Sequence, residues 1–177
     1  EALSIRAEVM RRFEDLCRFQ DDTPFSIAVV GGGPTGVEMA GAFAELVRGP
    51  LTNDQAKAAA NIKIVLIEAG PRLLPSFSPS LSARTKSDLE KLGVDVKLNT
   101  AVEEVTNSVI KISGAPEIPA QVTIWAAGVK GEPTASKLNL PLISSRIDVD
   151  NSLQVKNYPH IWAIGDISGY KDANGKF

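Results

Sequence analysis

One cysteine, Cys17, and one histidine, His160, are all that the 177 residues hold of either type. A lone cysteine excludes a disulfide framework, a CxxC redox pair and a zinc cluster built on thiolates. With so little nucleophilic or ligating chemistry, no catalytic triad and no metal cluster stands out. A reducing, cytoplasmic-type compartment fits this cysteine usage. Charge of either sign is scarce as a field: 19 basic residues meet 21 acidic ones, for a net charge of −2. No basic surface is therefore expected to hold nucleic acid. Long apolar runs are missing too. The best of them, residues 64–67 and 124–127, fall far short of the roughly 20 residues that span a bilayer. Residues 1–15 are charged throughout, unlike a signal peptide. Internal repeats, low-complexity tracts and glycosylation sequons are also absent.

What remains is ordinary globular composition, 44% apolar and 23% charged, with enough chain for a real core. Residues 1–19 set Leu3, Ile5, Val9, Phe13 and Leu16 near helical spacing and predict an amphipathic helix. Residues 20–24 break it. Residues 25–30 read as a short buried strand. Helix signals then run from about residue 35 to 47 and end at Arg48-Gly49-Pro50. Residues 51–61 read as a polar, alanine-rich insert. A second strand over 62–68 ends on Glu68. Ser78 is placed to cap a helix with Pro79 at its first position, and Gly93 to close it. Residues 94–99 read as a third strand, 101–121 as a small antiparallel meander, and 122–128 and 158–166 as further strands. Alternating strands and helices predict an α/β fold with a parallel sheet and helices on both faces.

The first strand runs straight into Gly31, Gly32 and Gly33, and Gly36 follows. Gly31, Gly33 and Gly36 make G-x-G-x-x-G. In that pattern the first glycine permits a tight turn, the second lets a pyrophosphate reach the backbone, and the third lets the helix pack closely on the strand. The helix that opens at Pro34–Thr35 aims free N–H groups and the positive end of its dipole at the phosphate. Alone the hexapeptide is a weak signal. Its context is better: an apolar strand before it, small residues Ala40, Gly41, Ala42 and Ala44 after it, and Glu68 at the end of the next strand. A carboxylate there accepts both hydroxyls of an adenine ribose and repels a 2′-phosphate, which favours NAD over NADP. Glu68 lies 32 residues past Gly36, against a usual gap of roughly 20. Looping the 48–61 stretch out at the surface accounts for the excess.

The segments GGGPTGVEMAGAFAEL (31–46), IVLIEAGPRLLPSF (64–77), TIWAAGV (123–129) and YPHIWAIGD (158–166) resemble, in the same order, the flavin-dependent pyridine-nucleotide oxidoreductases. Within that superfamily the chain is most similar to the type II NADH dehydrogenases, the NADH:quinone oxidoreductases that pump no protons. The resemblance covers essentially the whole chain. It implies a Rossmann-like three-layer domain that binds NAD(H), with FAD bound by the full-length parent and a quinone reduced at a membrane surface. Hydride transfer between cofactors needs no side-chain nucleophile, in keeping with the composition.

The resemblance also places residues. Gly31, Gly32, Gly33, Pro34, Thr35 and Gly36 would hold the NADH pyrophosphate and Glu68 the adenosine ribose. Glu38 would stand near the nicotinamide–flavin junction, as the catalytic candidate. Ala127 and Gly128 would line the nucleotide crevice, and Gly165 with Asp166 would meet the ribityl–phosphate region of FAD. Arg72 is either an adenine contact or a loop residue. No upstream glycine motif for FAD and no downstream membrane segment is seen. The chain is therefore expected to be an NADH-binding fragment, inactive alone, from a parent peripheral on the inner face of the membrane. The expected division is a linking helix over 1–24, the NAD(H)-binding domain over 25–130 and a return segment over 131–177. FAD and quinone are expected as partners only through the rest of the parent, with a second copy of the chain as a further candidate partner.

Plainer readings stand beside these. Without the resemblance, Glu38 reads as a solvated residue in the first helical turn. His160 reads as a surface or capping residue, Cys17 as core, and Trp125 and Trp162 as packing residues. Residues 148–151 (DVDN) lack the glycine and distal glutamate of a calcium loop and read as a turn. Other flavoproteins of ferredoxin-reductase or sulfide:quinone-reductase type, or a redox-sensing scaffold that binds NADH, remain as alternatives.

Overall fold

Phe25–Val30 contains no charged residue and forms strand β1, buried along its whole length. Cover on both faces explains why it reads as a run and not as an alternation. In the computed structural model, residues 2–19, 24–128, 134–173 and 175 are described. They fall into two units, Glu1–Ala127 and Gly128–Phe177. The break expected over 20–24 lies outside the described residues except for Pro24, and so does the boundary expected at 130/131.

In the first unit β1 pairs in parallel with β2 (Ile62–Ile67) on one side and β7 (Val122–Trp125) on the other. With β3 (Val94–Lys97) they make a four-stranded sheet in the order β3-β2-β1-β7. Phe25, Ile27 and Val29 point to one face with Ile64, Leu66 and Ile124. There they share a core with Val9 and Phe13 of α1 (Ala2–Phe19), Ala40 and Phe43 of α2 (Pro34–Leu46), Ala59 of α3 (Thr52–Ala60) and Leu89 of α4 (Pro79–Lys91). Ala28, Val30, Val65 and Ile67 turn to the other face and meet Ile110 and Ala120. Ile110 belongs to an antiparallel meander of β4 (Val102–Val105), β5 (Val109–Ile112) and β6 (Ile118–Pro119), and Ala120 directly follows β6.

The plan is thus Rossmann-like, three-layered and α/β. Its layering differs in one respect from the expectation of helices on both faces. The described helices of this unit share one face, and strands form the opposite layer. In the connection from β3 to β7, short runs of β-branched residues separated by turns form strands and not a helix.

The 51–61 stretch is also not looped out as expected: residues 52–57 are exposed, but the segment is helical. α2 continues through a π-helical turn at Val47–Leu51, which contains Pro50, into α3. Pro50 has no N–H to give, and the widened turn tolerates the missing bond. Thr52 Oγ1 donates to Val47 O at 2.5 Å. Alanine is the strongest helix former, and Leu51, Ala58 and Ala59 are buried. Gln55, at φ −146° and ψ 86°, kinks the element.

In α1 and α4 the local signals hold. Val9, Phe13 and Leu16 of the α1 stripe are buried, although Leu3 is 79% exposed. Cys17 is half-buried against the same core. On the outer face of α1, Arg11 and then Arg12 hydrogen-bond Glu8 and hold its carboxyl below the usual range. Ser78 caps α4, accepting from Leu81 N–H at 3.3 Å, with Pro79 at the first helical position. Gly93 follows the helix at φ +85°.

The second unit is built on α5 (Thr134–Lys137) and a hairpin of β8 (Leu142–Ile143) and β9 (Arg146–Ile147). Its core is Ala135, Ile147, Val149, Val155 and Ala163. The turn expected over 148–151 lies later, at 150–154: Val149 bridges Val155, Leu153 N–H donates to Asp150 O at 3.0 Å, and Asp150 Oδ1 accepts from Ser152 N–H at 2.8 Å and Gln154 N–H at 3.1 Å. The strand expected over 158–166 is not a strand. Val155 N–H reaches Ile161 O at 2.8 Å around Asn157, which has φ +66°. Pro159 lacks a donor, and Trp162 makes only an isolated bridge to Gln154. Trp125 and Trp162 are 59% and 57% exposed, so neither is the packing residue expected. His160 is exposed.

Candidate functional site

The order β3-β2-β1-β7 reverses the direction of strand addition between β1 and β7. In open α/β sheets the crevice beyond the carboxyl ends at such a point is where ligands bind. Residues 31–36 occupy it, and their glycines differ in what surrounds them. Gly31 has φ +114°, and a Cβ there would lie 2.7 Å from the backbone of Ala126 and from Ala127 N, where the chain leaves β7. A Cβ on Gly36 would lie 1.8 Å from Gly31 O, so α2 rests directly on the turn. A Cβ on Gly33 would meet nothing within 4 Å. Gly33 opens α2 with φ −73° and ψ −179°, Pro34 follows, and no side chain caps this end. The helical ladder starts with Val37 N–H to Gly33 O at 3.0 Å, which leaves the N–H groups of Thr35 and Gly36 ahead of it. An open space beside an uncapped helix N-terminus is suited to an anion.

Glu68 follows β2 directly and closes the adjacent side. Its Oε2 accepts from Gly32 N–H at 2.5 Å and its Oε1 from Gly70 N–H at 2.6 Å. Its own N–H donates to Lys97 O at 2.8 Å, and its carbonyl accepts from Thr100 N–H at 3.0 Å. The long sequence gap between Gly36 and Glu68 is taken up by α2, the π-helical turn and α3, because β1 and β2 are neighbours. Sequence reasoning missed the bonds to Gly32 and Gly70. The available signals were a third consecutive glycine that G-x-G-x-x-G does not need and a further glycine two residues past the acid.

Arg72 is tied to its own loop: its guanidinium donates to Pro75 O at 2.6 Å, Phe77 O at 2.8 Å and Ser82 Oγ at 3.1 Å. The same loop reaches the glycine turn through Leu74 N–H to Gly32 O at 2.8 Å. Glu38 is exposed on the second turn of α2, and Pro34 and Thr35 are exposed before it. Ala127 is exposed and accepts from Trp125 Nε1 at 3.2 Å. The first unit thus gathers residues 31–36, Glu68, the Arg72 loop and Ala127. Gly128, Gly165 and Asp166 belong to the second unit. Gly128 and Gly165 have φ +88° and +74° with open space around them. Asp166 is exposed in the 3-10 turn Gly165–Ile167.

Two further features of the first unit bear on the choice of site. A groove of about 390 Å³ lined by Ala44, Val47, Arg48, Ala59, Ile62 and Lys91, among others, includes none of the residues above. No group of His, Cys, Asp and Glu among the described residues could hold a metal ion.

The chain is similar to known proteins. The family described as pyridine nucleotide-disulphide oxidoreductase matches residues 7–175. A type II NADH:quinone oxidoreductase of Mycobacterium tuberculosis is 30% identical over 197 residues, covering 99% of this chain and 41% of that protein. Its counterpart in Haemophilus influenzae is 31% identical over 159 residues, covering 88% of this chain and 36% of that protein. Among solved structures, NDH2 from Plasmodium falciparum in complex with NADH superposes with a TM-score of 0.83 at 28% identity, covering 94% of this chain and 37% of that one. The chain spans about two fifths of the length of the curated relatives it matches.

Proposed function

The chain belongs to the pyridine nucleotide-disulphide oxidoreductase family, and on that premise we propose that it is the NADH-binding part of a flavin-dependent NADH:quinone oxidoreductase. The observation that carries the reading is the open space at Gly33, set against an uncapped helix start and beside the Glu68 carboxylate. Similarity to type II NADH:quinone oxidoreductases over nearly the whole chain supports the subgroup.

In this reading Gly31, Gly32, Gly33, Pro34, Thr35 and Gly36 hold the pyrophosphate. An ionised carboxylate has about four acceptor sites, so Glu68 can take the adenosine ribose hydroxyls while keeping its two backbone bonds. A 2′-phosphate would meet like charge there, so NADH is preferred to NADPH. Ala127 and Gly128 line the crevice, Glu38 stands near the nicotinamide–flavin junction, and Gly165 with Asp166 meets the ribityl–phosphate part of FAD. Arg72 shapes the adenine side through its loop.

When bound, NADH supplies the hydride that the flavin accepts; the chain itself binds and orients. The glycine cradle at residues 31–36 is assigned to NADH, and the cradle for FAD pyrophosphate is assigned to the rest of a longer parent. Quinone reduction and peripheral attachment to the inner face of a membrane belong to that parent too. No helix among the described residues is long and apolar enough to cross a membrane. Calorimetric titration of the 177-residue chain with NADH and NADPH tests the binding step, and NADH oxidation by the full-length parent with a quinone tests the rest. Failure of the chain to bind either nucleotide would overturn the reading.

A further inference from the structure

Gly32 is not required by G-x-G-x-x-G, and its backbone is outside the left-handed region that favours glycine; the same is true of Gly70. A side chain at Gly32 would collide with Leu73 and Glu68, and one at Gly70 would press on Glu68. A Cβ on Gly32 would lie 2.9 Å from Glu68 Cγ and Oε2, and 2.7 Å from Leu73 Cδ2. A Cβ on Gly70 would lie 3.0 Å from Glu68 Oε1. The missing side chains let one carboxylate reach two backbone N–H groups, at 2.5 and 2.6 Å.

We propose that Glu68 is a positioning residue for the phosphate-binding turn, clasping the Gly32 and Gly70 N–H groups so that the turn is set before any nucleotide arrives. The ligand named here rests on the NADH reading above; the clasp itself does not. Hydrogen bonds to an ionised acceptor are about twice as strong as neutral ones. A turn held in its bound form also avoids an ordering cost at binding. Glu68 should therefore strengthen the binding of a ligand it cannot touch. Reduced nicotinamide mononucleotide, NMNH, ends at its phosphate and has no adenosine ribose. A glutamate that served the ribose alone would leave NMNH affinity unchanged.

The experiment compares the 177-residue chain with Glu68→Ala, Glu68→Gln and Gly32→Ala, each at a temperature where circular dichroism shows it folded. Amide exchange at Gly32 and Gly70, measured by NMR without ligand, should speed up about tenfold or more in Glu68→Ala. NMNH affinity should fall by about tenfold in the same variant. A loss of stability alone would leave NMNH affinity unchanged in the folded variant. Glu68→Gln turns an NH2 group toward one of the two donors, so one amide should stay protected and the other should not. Gly32→Ala should reproduce the Glu68→Ala behaviour. Should Glu68→Ala not fold, the isosteric Glu68→Gln carries the comparison. Unchanged protection of both amides, or weakened NADH binding with NMNH binding intact, would overturn the clasp. A wild-type chain that binds neither ligand would sink the nucleotide reading, and amide exchange would then decide the clasp by itself.

Discussion

Adding one methyl group at Gly36 or at Gly33 should have opposite consequences, although only three positions separate them. At Gly36 the new carbon would lie 1.8 Å from Gly31 O. That distance is far inside contact, and the obstacle is backbone, so α2 must move off the turn. Overpacking of this kind costs about 1–3 kcal/mol or more. Placing the residue in a helix returns about 1 kcal/mol, the difference in propensity between glycine and alanine. With the upper figure, a net loss of about 2 kcal/mol remains, and at roughly 2–4 °C per kcal/mol the midpoint should fall by about 4–8 °C. At Gly33 the new carbon meets nothing within 4 Å, and its φ of −73° suits any residue. Gly33→Ala should therefore melt within a few degrees of wild type, and Gly33→Val should also fold. Both place atoms where the phosphates belong and should lose the stabilisation that NADH gives the wild type. Thermal melts of the four proteins with and without NADH read all of this at once. The reasoning fails if Gly36→Ala melts at or above wild type, or if Gly33→Val is still stabilised by NADH as the wild type is.

Other outcomes follow from the same geometry. NADPH should bind the chain about 5- to 150-fold more weakly than NADH, from a like-charge cost on the order of 1–3 kcal/mol beside Glu68; equal affinities by calorimetry would refute this. Arg72→Ala removes bonds to Pro75 O and Phe77 O, at a cost of about 1 kcal/mol. Protease should then cut the 75–78 loop faster, and an unchanged digestion rate would show that the clip is idle. Burial, then the charges of Asp54 and Glu14, pushes the Cys17 thiol up. Iodoacetamide at pH 8 should therefore alkylate Cys17 more slowly than it alkylates glutathione, and an equal rate would contradict the packing. The sign for stability follows: this contribution is fully present below the thiol's unfolded-state pKa and is lost as pH rises through the folded one. Melts carried above pH 9 should show the decline.

The parts legible in sequence are those set by local chemistry. β1 announced itself as an uncharged run before the glycines, and Ser78, Pro79 and Gly93 marked the ends of α4 through capping alone. Gly31 and Gly36 could be read because the demands of a tight turn and of helix packing are written into their spacing. What was not legible depended on what packs against what. Residues 51–61 look like a solvated insert until Leu51, Ala58 and Ala59 are placed against the sheet. The 158–166 stretch has the composition of a strand, but Pro159 and the turn at Asn157 leave it no partner ladder. The two bonds of Glu68 join positions 36 and 2 residues apart, and no periodicity reports the longer one.

The pairing of β1 with β7 has a consequence in time. Ser26 N–H donates to Gln121 Oε1 at 2.7 Å across 95 positions of chain. A ribosome adding about 5–20 residues per second needs about 5–20 seconds to make that much chain. Over that interval β1 can pair with β2, but its other edge shows unpaired N–H and C=O groups, the kind of edge on which another chain can add. The backbone that Gly31 approaches at Ala126 and Ala127 is made after all the rest of the first unit. During synthesis the cradle is thus the last part of the first unit to be finished.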